Sequence, residues 1–425
     1  MADLTTEFCG VKMKNPLVLG AGPLSRGAAL IRKCIDAGFG AVCTKTASQF
    51  EYYHKFPYTR YHLVGYEYGS RGRASHDWVW FHNDHNAPVG PEKFVEVIAE
   101  VSGYARDHNC LLIGTYAAAT MEEWEKRGVA YCEAGAGMLE LNFCCPGPST
   151  LADVIKKSDS AAAHFGNILQ NPEDAYNVVK KVRSAVDIPI VCKLPPSRRL
   201  EIKEIVAGLR DAGADGVEMY ANNKGMRIDI ESATPVGFGC GTVNSHGHLA
   251  ETLYDVSQLV MANPGVAIMA GRGVRTWDEV VELLMTGASV AEVCTSIIVY
   301  GLGYGQEMLE EIGKYMDRKG YPDIASLRGQ ALKNTLKPSQ IKDKVTPVFA
   351  QINGIQCKGC GRCYDVCAFR AVEVFHKAGR GVAKINRARC VGCTLCSQVC
   401  PKHAITLEPR SQEEYLAAQD LQQDA

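Results

Sequence analysis

Two runs of cysteines share one spacing: Cys357-x2-Cys360-x2-Cys363-x3-Cys367, and Cys390-x2-Cys393-x2-Cys396-x3-Cys400 followed by Pro401. Thiolates at this spacing can hold iron and sulfide. A 4Fe–4S cube needs four sulfur ligands at its corners. Two x2 spacings let one loop wrap three of them, and the fourth comes from the other run. The pattern predicts one cluster on Cys357, Cys360, Cys363 and Cys400, and a second on Cys390, Cys393, Cys396 and Cys367. Structural zinc also uses x2 pairs, but two full x2-x2-x3 runs would leave thiolates over in zinc sites.

The other ten of the eighteen cysteines are scattered through the first 300 residues, mostly inside apolar runs, where a small buried thiol is the ordinary expectation. The dense C-terminal runs suit metal binding in a reducing cytoplasm better than a disulfide framework. With 46% hydrophobic and 22% charged residues, the composition is that of a soluble globular protein. A formal net charge of -1 gives neither nucleic acid nor an anionic membrane a reason to bind. No apolar run approaches the ~18 residues of a bilayer span. The N-terminal Met-Ala-Asp-Leu-Thr-Thr-Glu lacks the basic and apolar regions of a secretory signal. A cytoplasmic protein without membrane attachment is expected.

Short apolar runs recur ahead of the cysteines: Leu17–Gly22, Ala41–Lys45, Leu111–Tyr116, Met138–Phe143, Ile188–Leu194, Gly216–Tyr220, Val266–Gly271 and Val290–Ser296. Most lack alternation, as parallel strands covered on both faces should. Helical patterns such as Glu173–Val186 and Thr276–Thr286 lie between them. The α/β pattern predicts a (β/α)8 TIM barrel over residues 1–325. A linker over 326–349, a small α+β ferredoxin-like domain over 350–408 and a tail over 409–425 complete the chain. A dinucleotide-binding fold is the competing reading of Gly20-Ala21-Gly22. The third fingerprint glycine is replaced by Ser25, however, and Pro23 interrupts. Gly301, Gly303 and Gly305 are followed by no βαβ unit, so no nicotinamide site is expected.

Connection lengths locate the chemistry. The long segments 46–93, 144–172 and 221–250 all leave the C-terminal ends of strands, where barrel enzymes place their active sites. Strands seven and eight end instead in compact Gly271-Arg272-Gly273 and Thr295-Ser296. Small residues there let backbone N–H groups close on a phosphate; tight turns alone are the alternative. Clusters pass single electrons, whereas most organic redox steps move two as a hydride. A phosphate-bearing flavin does both.

A resemblance sharpens these expectations. Asn15-Pro16, Gly20-Ala21-Gly22-Pro23, Thr44-Lys45-Thr46, Leu141-Asn142-Phe143-Cys144-Cys145-Pro146 and Lys193-Leu194-Pro195-Pro196 resemble the barrel of the dihydroorotate and dihydropyrimidine dehydrogenases. The C-terminal segment resembles bacterial two-cluster ferredoxins, with Ala368 where the first run usually has proline. That segment and Val293-Cys294-Thr295-Ser296 bring the chain nearest the catalytic subunits of bacterial dihydropyrimidine dehydrogenases. The resemblance implies FMN at the barrel mouth. Lys45 and Lys193 would flank its ring, with Gly22 and Thr46 in the same motifs. Gly271, Gly273, Thr295 and Ser296 would hold its phosphate, with Gly239 and Gly241 nearby. Cys145 matches the family's proton-transferring cysteine, and a thiol can exchange a carbon proton near neutral pH. Cys144 is then its structural neighbour, since adjacent residues at a strand end point to opposite faces. Asn83 and Asn142 match substrate-binding asparagines.

Departures from the family fall on the substrate side. His85 stands where the pyrimidine enzymes have glutamate, and it can donate to a carbonyl or carboxylate where glutamate accepts an N–H. Asn222, as Ala221-Asn222 or Asn222-Asn223, replaces an Asn-Thr pair. The loop after Cys145 is longer, and its Ile155–Asp159 stretch reads as a solvated lid, with substrate contact as the alternative. His76, Trp78, Trp80 and His82 read as loop side chains, with a metal site as the alternative. The expected protein is an FMN- and iron–sulfur-dependent oxidoreductase that reduces or forms an activated C=C bond in a small cyclic substrate. Its electrons would come from a separate flavoprotein reductase or ferredoxin, and a homo-oligomer is compatible with the sequence. Two alternatives stand beside it: NAD-linked reduction of uracil or thymine, and a non-catalytic electron-transfer subunit. Retention of Cys145, Lys45 and Lys193 speaks against the second.

Overall fold

The computed structural model describes residues 2–47, 59–65, 78–84, 87–118, 120–144, 171–196, 201–236, 241–377 and 380–423. They form two compact units, Met1–Asn334 and Thr335–Ala425.

The first unit is a closed barrel of eight parallel strands. They are β1 (Leu17–Leu19), β2 (Ala41–Cys43), β3 (Leu111–Tyr116), β4 (Met138–Asn142), β5 (Ile190–Lys193), β6 (Gly216–Met219), β7 (Ala267–Ala270) and β8 (Val290–Val293). Neighbours in sequence are neighbours in space, and β8 closes on β1. A helix follows each strand. Those at Ala28–Asp36, Pro91–Asp107 and Ile202–Asp211 bury residues at helical spacing, such as Ile202, Ile205, Val206 and Leu209. Strands roofed this way have no solvent face, which is why their sequences run apolar without alternation.

Inside the barrel, Val18, Ala41, Ile113, Met138, Val191, Met269 and Val290 pack with Phe8 and Met13. The last two come from an N-terminal hairpin, Thr6–Phe8 with Val11–Met13. That end is therefore filled with hydrocarbon, and the polar residues collect at the other.

Several ladders stop short of the apolar runs that foretold them. The run Val290–Ser296 pairs only to Val293, and Thr295–Tyr300 is helix; Leu17–Gly22 pairs only to Leu19. An apolar run reports burial, and burial continues past the last strand hydrogen bond. The long segments after β2 and β6 meet in an unforeseen four-stranded antiparallel sheet, Asn223–Gly225, Gly241–Ser245, Val79–Asn83 and Arg60–Val64 in spatial order.

The second unit is an internal repeat. Each cysteine run carries a four-residue helix, Arg362–Asp365 or Leu395–Gln398. Left-handed backbone recurs at matching positions: Gly359 (φ 63) with Gly392 (φ 69), Gly361 (φ 83) with Thr394 (φ 68), and Arg370 (φ 48) with His403 (φ 46). The two-stranded sheets Val348–Ile352 with Ile405–Pro409, and Val372–Lys377 with Arg380–Ile385, frame the runs. No described helix is long and apolar enough to cross a membrane.

Candidate active site and cysteine clusters

Four charged side chains occupy the barrel interior above its hydrocarbon floor. Glu140 on β4, Glu218 on β6 and Glu292 on β8 surround Lys193 on β5. The Lys193 Nζ bonds Glu218 and lies 3.7 Å from Glu292 Oε1 and 3.9 Å from Glu140 Oε1. Gly20 and Gly271 make room for Glu292: a Cβ on either would fall within 2.8 Å of a Glu292 carboxylate oxygen. Three carboxylates and one ammonium in a low-dielectric space cannot all stay ionised cheaply. Burial and then Glu140 push Glu218 well above the ordinary carboxylate range, and burial with Glu218 pushes Glu292 up to about 8. For Lys193, burial favours the neutral amine, yet Glu218, Glu292 and Glu140 together hold it well above the usual lysine range. The result is a fixed, buried positive charge at the C-terminal end of β5. Sequence reasoning overlooked the glutamates, although a charged residue inside a doubly covered apolar strand was a signal that a partner must face it.

Around that charge the strand ends are cross-linked. The Asn142 side-chain amide donates to Thr46 Oγ1 (2.9 Å) and its Oδ1 accepts the Cys144 N–H (3.0 Å). The Cys144 thiol donates to the Lys193 carbonyl at 3.2 Å. Lys45, just past β2, pairs with Asp84 at 2.6 Å. Asp84, which also bonds the Tyr61 hydroxyl, was not anticipated. Tyr61 stacks on Trp80 at 5.1 Å between ring centroids, and His82 lies 6.0 Å from Trp80. Burial holds His82 down at about 4, so this aromatic shelf is uncharged at neutral pH.

The structure thus gathers Lys45, Thr46, Asn142 and Lys193. Asn222 Oδ1 accepts from the Asn244 side-chain amide (2.9 Å), whose own Oδ1 accepts from Arg275 (2.9 Å). The Arg275 guanidinium covers the Trp78 ring at 3.9 Å. Trp78 and Trp80 are accordingly packed residues, not loose loop side chains. Gly22 borders the Cys294 sulfur, which a Cβ would approach to 2.5 Å. Gly241 lies in the upper sheet, where a Cβ would collide with Phe81. Cys145, His85, Gly239, His76 and the 155–159 stretch lie outside the described residues, as does the side chain of Asn83.

The expected phosphate site needs one amendment. The Gly271 N–H is already committed to the Met219 carbonyl at 2.8 Å, so this glycine gives space and no free donor. Gly273, at φ 97, turns the chain beyond it. The Ser296 Oγ is buried with no hydrogen-bond partner among the described residues, in the first turn of a helix whose leading N–H groups lack intrahelical acceptors. An orphaned hydroxyl beside such donors fits the phosphate of a flavin mononucleotide.

In the second unit the cysteines line two cavities. Cys357, Cys360, Cys363 and Cys400 share one; Cys367, Cys390, Cys393 and Cys396 share the other. Backbone N–H groups point at their sulfurs: Gly359 and Ala383 at Cys357 (3.4 Å each), Ala350 at Cys390 (3.4 Å), Ala371 at Cys367 (3.3 Å) and Ala404 at Cys400 (3.3 Å). Donors aimed at sulfur stabilise thiolate, the form that binds iron. This donor set fits the clusters.

Comparison with known proteins agrees with this anatomy. Residues 89–316 match the family described as dihydroorotate dehydrogenase, and residues 350–407 match a 4Fe-4S dicluster domain. The NAD-dependent dihydropyrimidine dehydrogenase subunit PreA of Escherichia coli K12 is 27% identical over 377 residues, covering 86% of this chain and 85% of that protein. The catalytic subunit of dihydroorotate dehydrogenase B (NAD(+)) from Pyrococcus abyssi is 28% identical over 338 residues, 78% of this chain and 99% of its own. Its counterpart from Methanothermobacter thermautotrophicus is 28% identical over 333 residues, 77% and 98% respectively.

Proposed function

Because this chain belongs to the dihydroorotate dehydrogenase family, and is an oxidoreductase acting on CH–CH bonds, we propose that it uses FMN and two 4Fe–4S clusters to reduce, or form, an activated C=C bond in a small cyclic substrate. The observation that carries this reading is the buried charge of Lys193 next to Lys45, Thr46 and Asn142. A cation fixed in a dry site stabilises negative charge far better than one in water. Bound FMN would supply the exchange between single electrons and a hydride. Lys193 and Lys45 would hold charge beside its ring, Ser296 and the turn at Gly273 its phosphate, and Asn142 the substrate. Cys145 would give the second substrate carbon its proton, or remove it in the oxidising direction. The stacked Tyr61 and Trp80 rings, with the neutral His82 tilted beside them near the Lys45–Asp84 pair, suit a planar heterocycle with polar edges. The similarity to a dihydropyrimidine dehydrogenase subunit keeps uracil and thymine as the second reading. The protein would work in the cytoplasm.

Cofactor analysis of anaerobically purified protein tests this proposal. About one FMN and about eight iron and eight acid-labile sulfide atoms per chain are expected. FAD alone, no flavin, or zinc without sulfide would overturn it. The missing dinucleotide fingerprint carries a further expectation, that electrons reach this chain through a separate protein. NADH mixed with the pure loaded chain should leave its visible spectrum oxidised. Rapid bleaching by NADH alone would reveal a nicotinamide site on this chain.

A further inference from the structure

The two cysteine cavities have the same ligand spacing and matching backbone but opposite rims. Around Cys357, Cys360, Cys363 and Cys400 stand Lys358, Arg362 and Lys402, all exposed, with no carboxylate among the described lining residues. Around Cys367, Cys390, Cys393 and Cys396 no charged residue lines the cavity among the described residues. The repeat makes the contrast exact in position: Lys358 corresponds to Val391, Arg362 to Leu395 and Lys402 to Phe369, and all three apolar counterparts line the second cavity. Asp365 sits at the far end of the helix that Arg362 begins and does not border the cavity. Elsewhere in this unit a cation is tied down, as Arg387 is to Glu414 at 2.9 Å.

Neutralising a cluster does not explain this difference. A 4Fe–4S core with four thiolates is an anion in either cavity, so both rims would need cations equally. What differs must be what each mouth meets. Three cations around an exposed ligand, Cys360, make a positive target of the kind that steers an oppositely charged protein into brief contact. Resting on the reading that this unit carries electrons on two clusters, we propose that the Cys357–Cys400 mouth is the docking face for a small acidic one-electron carrier protein, gripped by Lys358, Arg362 and Lys402. The reduced carrier loses one electron and the cluster gains it, with no proton moved and no bond broken. The apolar mouth at Cys390–Cys396 does not take part in that encounter.

Rapid mixing of the full-length, cluster-loaded chain with a reduced plant-type ferredoxin, an acidic one-electron carrier, tests this. The second-order rate constant is expected to fall at least about tenfold from low to high ionic strength. Combined Lys358→Glu, Arg362→Glu and Lys402→Glu substitution should slow the wild-type low-salt rate by at least about tenfold. Leu395→Glu, the same charge at the equivalent place on the other rim, should not. Iron, sulfide and the electrons accepted from excess dithionite certify that each variant is loaded. If the triple variant loses its clusters, the salt dependence of the unmodified chain and single Lys358→Gln and Lys402→Gln variants decide. Salt-independent rates with unaffected variants, or slowing by Leu395→Glu instead, would overturn the docking face. Absence of iron and sulfide from the purified chain would instead strike the cluster assignment, before any rate is measured.

Discussion

Turnover in Cys145→Ala should fall by about 10²–10⁴-fold with FMN content unchanged, the usual contribution of a positioned acid–base group. The assignment of proton transfer to Cys145 rests on its place before Pro146 in the β4 motif. Cys144, by contrast, already donates its thiol to the Lys193 carbonyl at 3.2 Å, a role that links β4 to β5. Cys144→Ala should therefore cost some stability and little chemistry. Cys145→Ser should fall between wild type and alanine, because a hydroxyl is a weaker acid of similar shape. Steady-state rates with a turned-over substrate, together with released flavin, separate the variants. Full activity in Cys145→Ala beside inactive, flavin-loaded Cys144→Ala would reverse the two roles.

Lys193→Met should destabilise the barrel by about 3–5 kcal/mol at pH 8, the typical loss when one partner of a buried ion pair is removed. Methionine fills the lysine volume but leaves Glu140, Glu218 and Glu292 facing one another without a cation. The sign of the pH dependence follows from the raised carboxylates. Glu292, pushed up to about 8, keeps its proton in the folded barrel, whereas an unfolded glutamate releases its own near 4.5. Its stabilising share is therefore present below the unfolded value and is lost as pH rises through the folded one. Without Lys193, Glu218 and Glu292 hold protons more tightly still, so the deficit should grow as pH rises above about 8, where Glu292 ionises in the wild type and not in the variant. Urea unfolding of both proteins at about pH 7 and about pH 9.5 measures this. An equal deficit at the two pH values would mean that lost packing, not charge, is responsible.

What the sequence discloses follows from what each residue must satisfy. The barrel strands were legible because double coverage forces apolar runs, and Leu111–Tyr116 matches its strand to the residue. Ends were less so, since Thr295-Ser296 stays buried while leaving the ladder for a helix. The four-stranded sheet escaped because Val79–Asn83 pairs with Gly241–Ser245, and nothing local in either segment names a partner so far along the chain. Motif residues Lys45, Asn142 and Lys193 were found through resemblance. Their partners were not: Asp84 lies between the matching Asn83 and the diverged His85, and Glu218 and Glu292 sit in strands read only for hydrophobicity. Asn222 was read as a substrate ligand from a motif position, and the hydrogen bond its Oδ1 accepts from Asn244 was not foreseen. Gly271 was expected to donate an N–H, yet that donor continues the β6–β7 pairing to Met219.

In the proposed function, one chain joins a flavin barrel to two clusters as a single electron path. Anaerobic reductive titration of the loaded full-length protein, followed by visible absorption and by electron paramagnetic resonance, tests it most directly. About four electrons per chain are expected, two on FMN and one on each cluster, with the flavin bleaching as electrons are added through the clusters. Uptake of about two electrons by a flavin alone, or cluster reduction that never reaches the flavin, would contradict it.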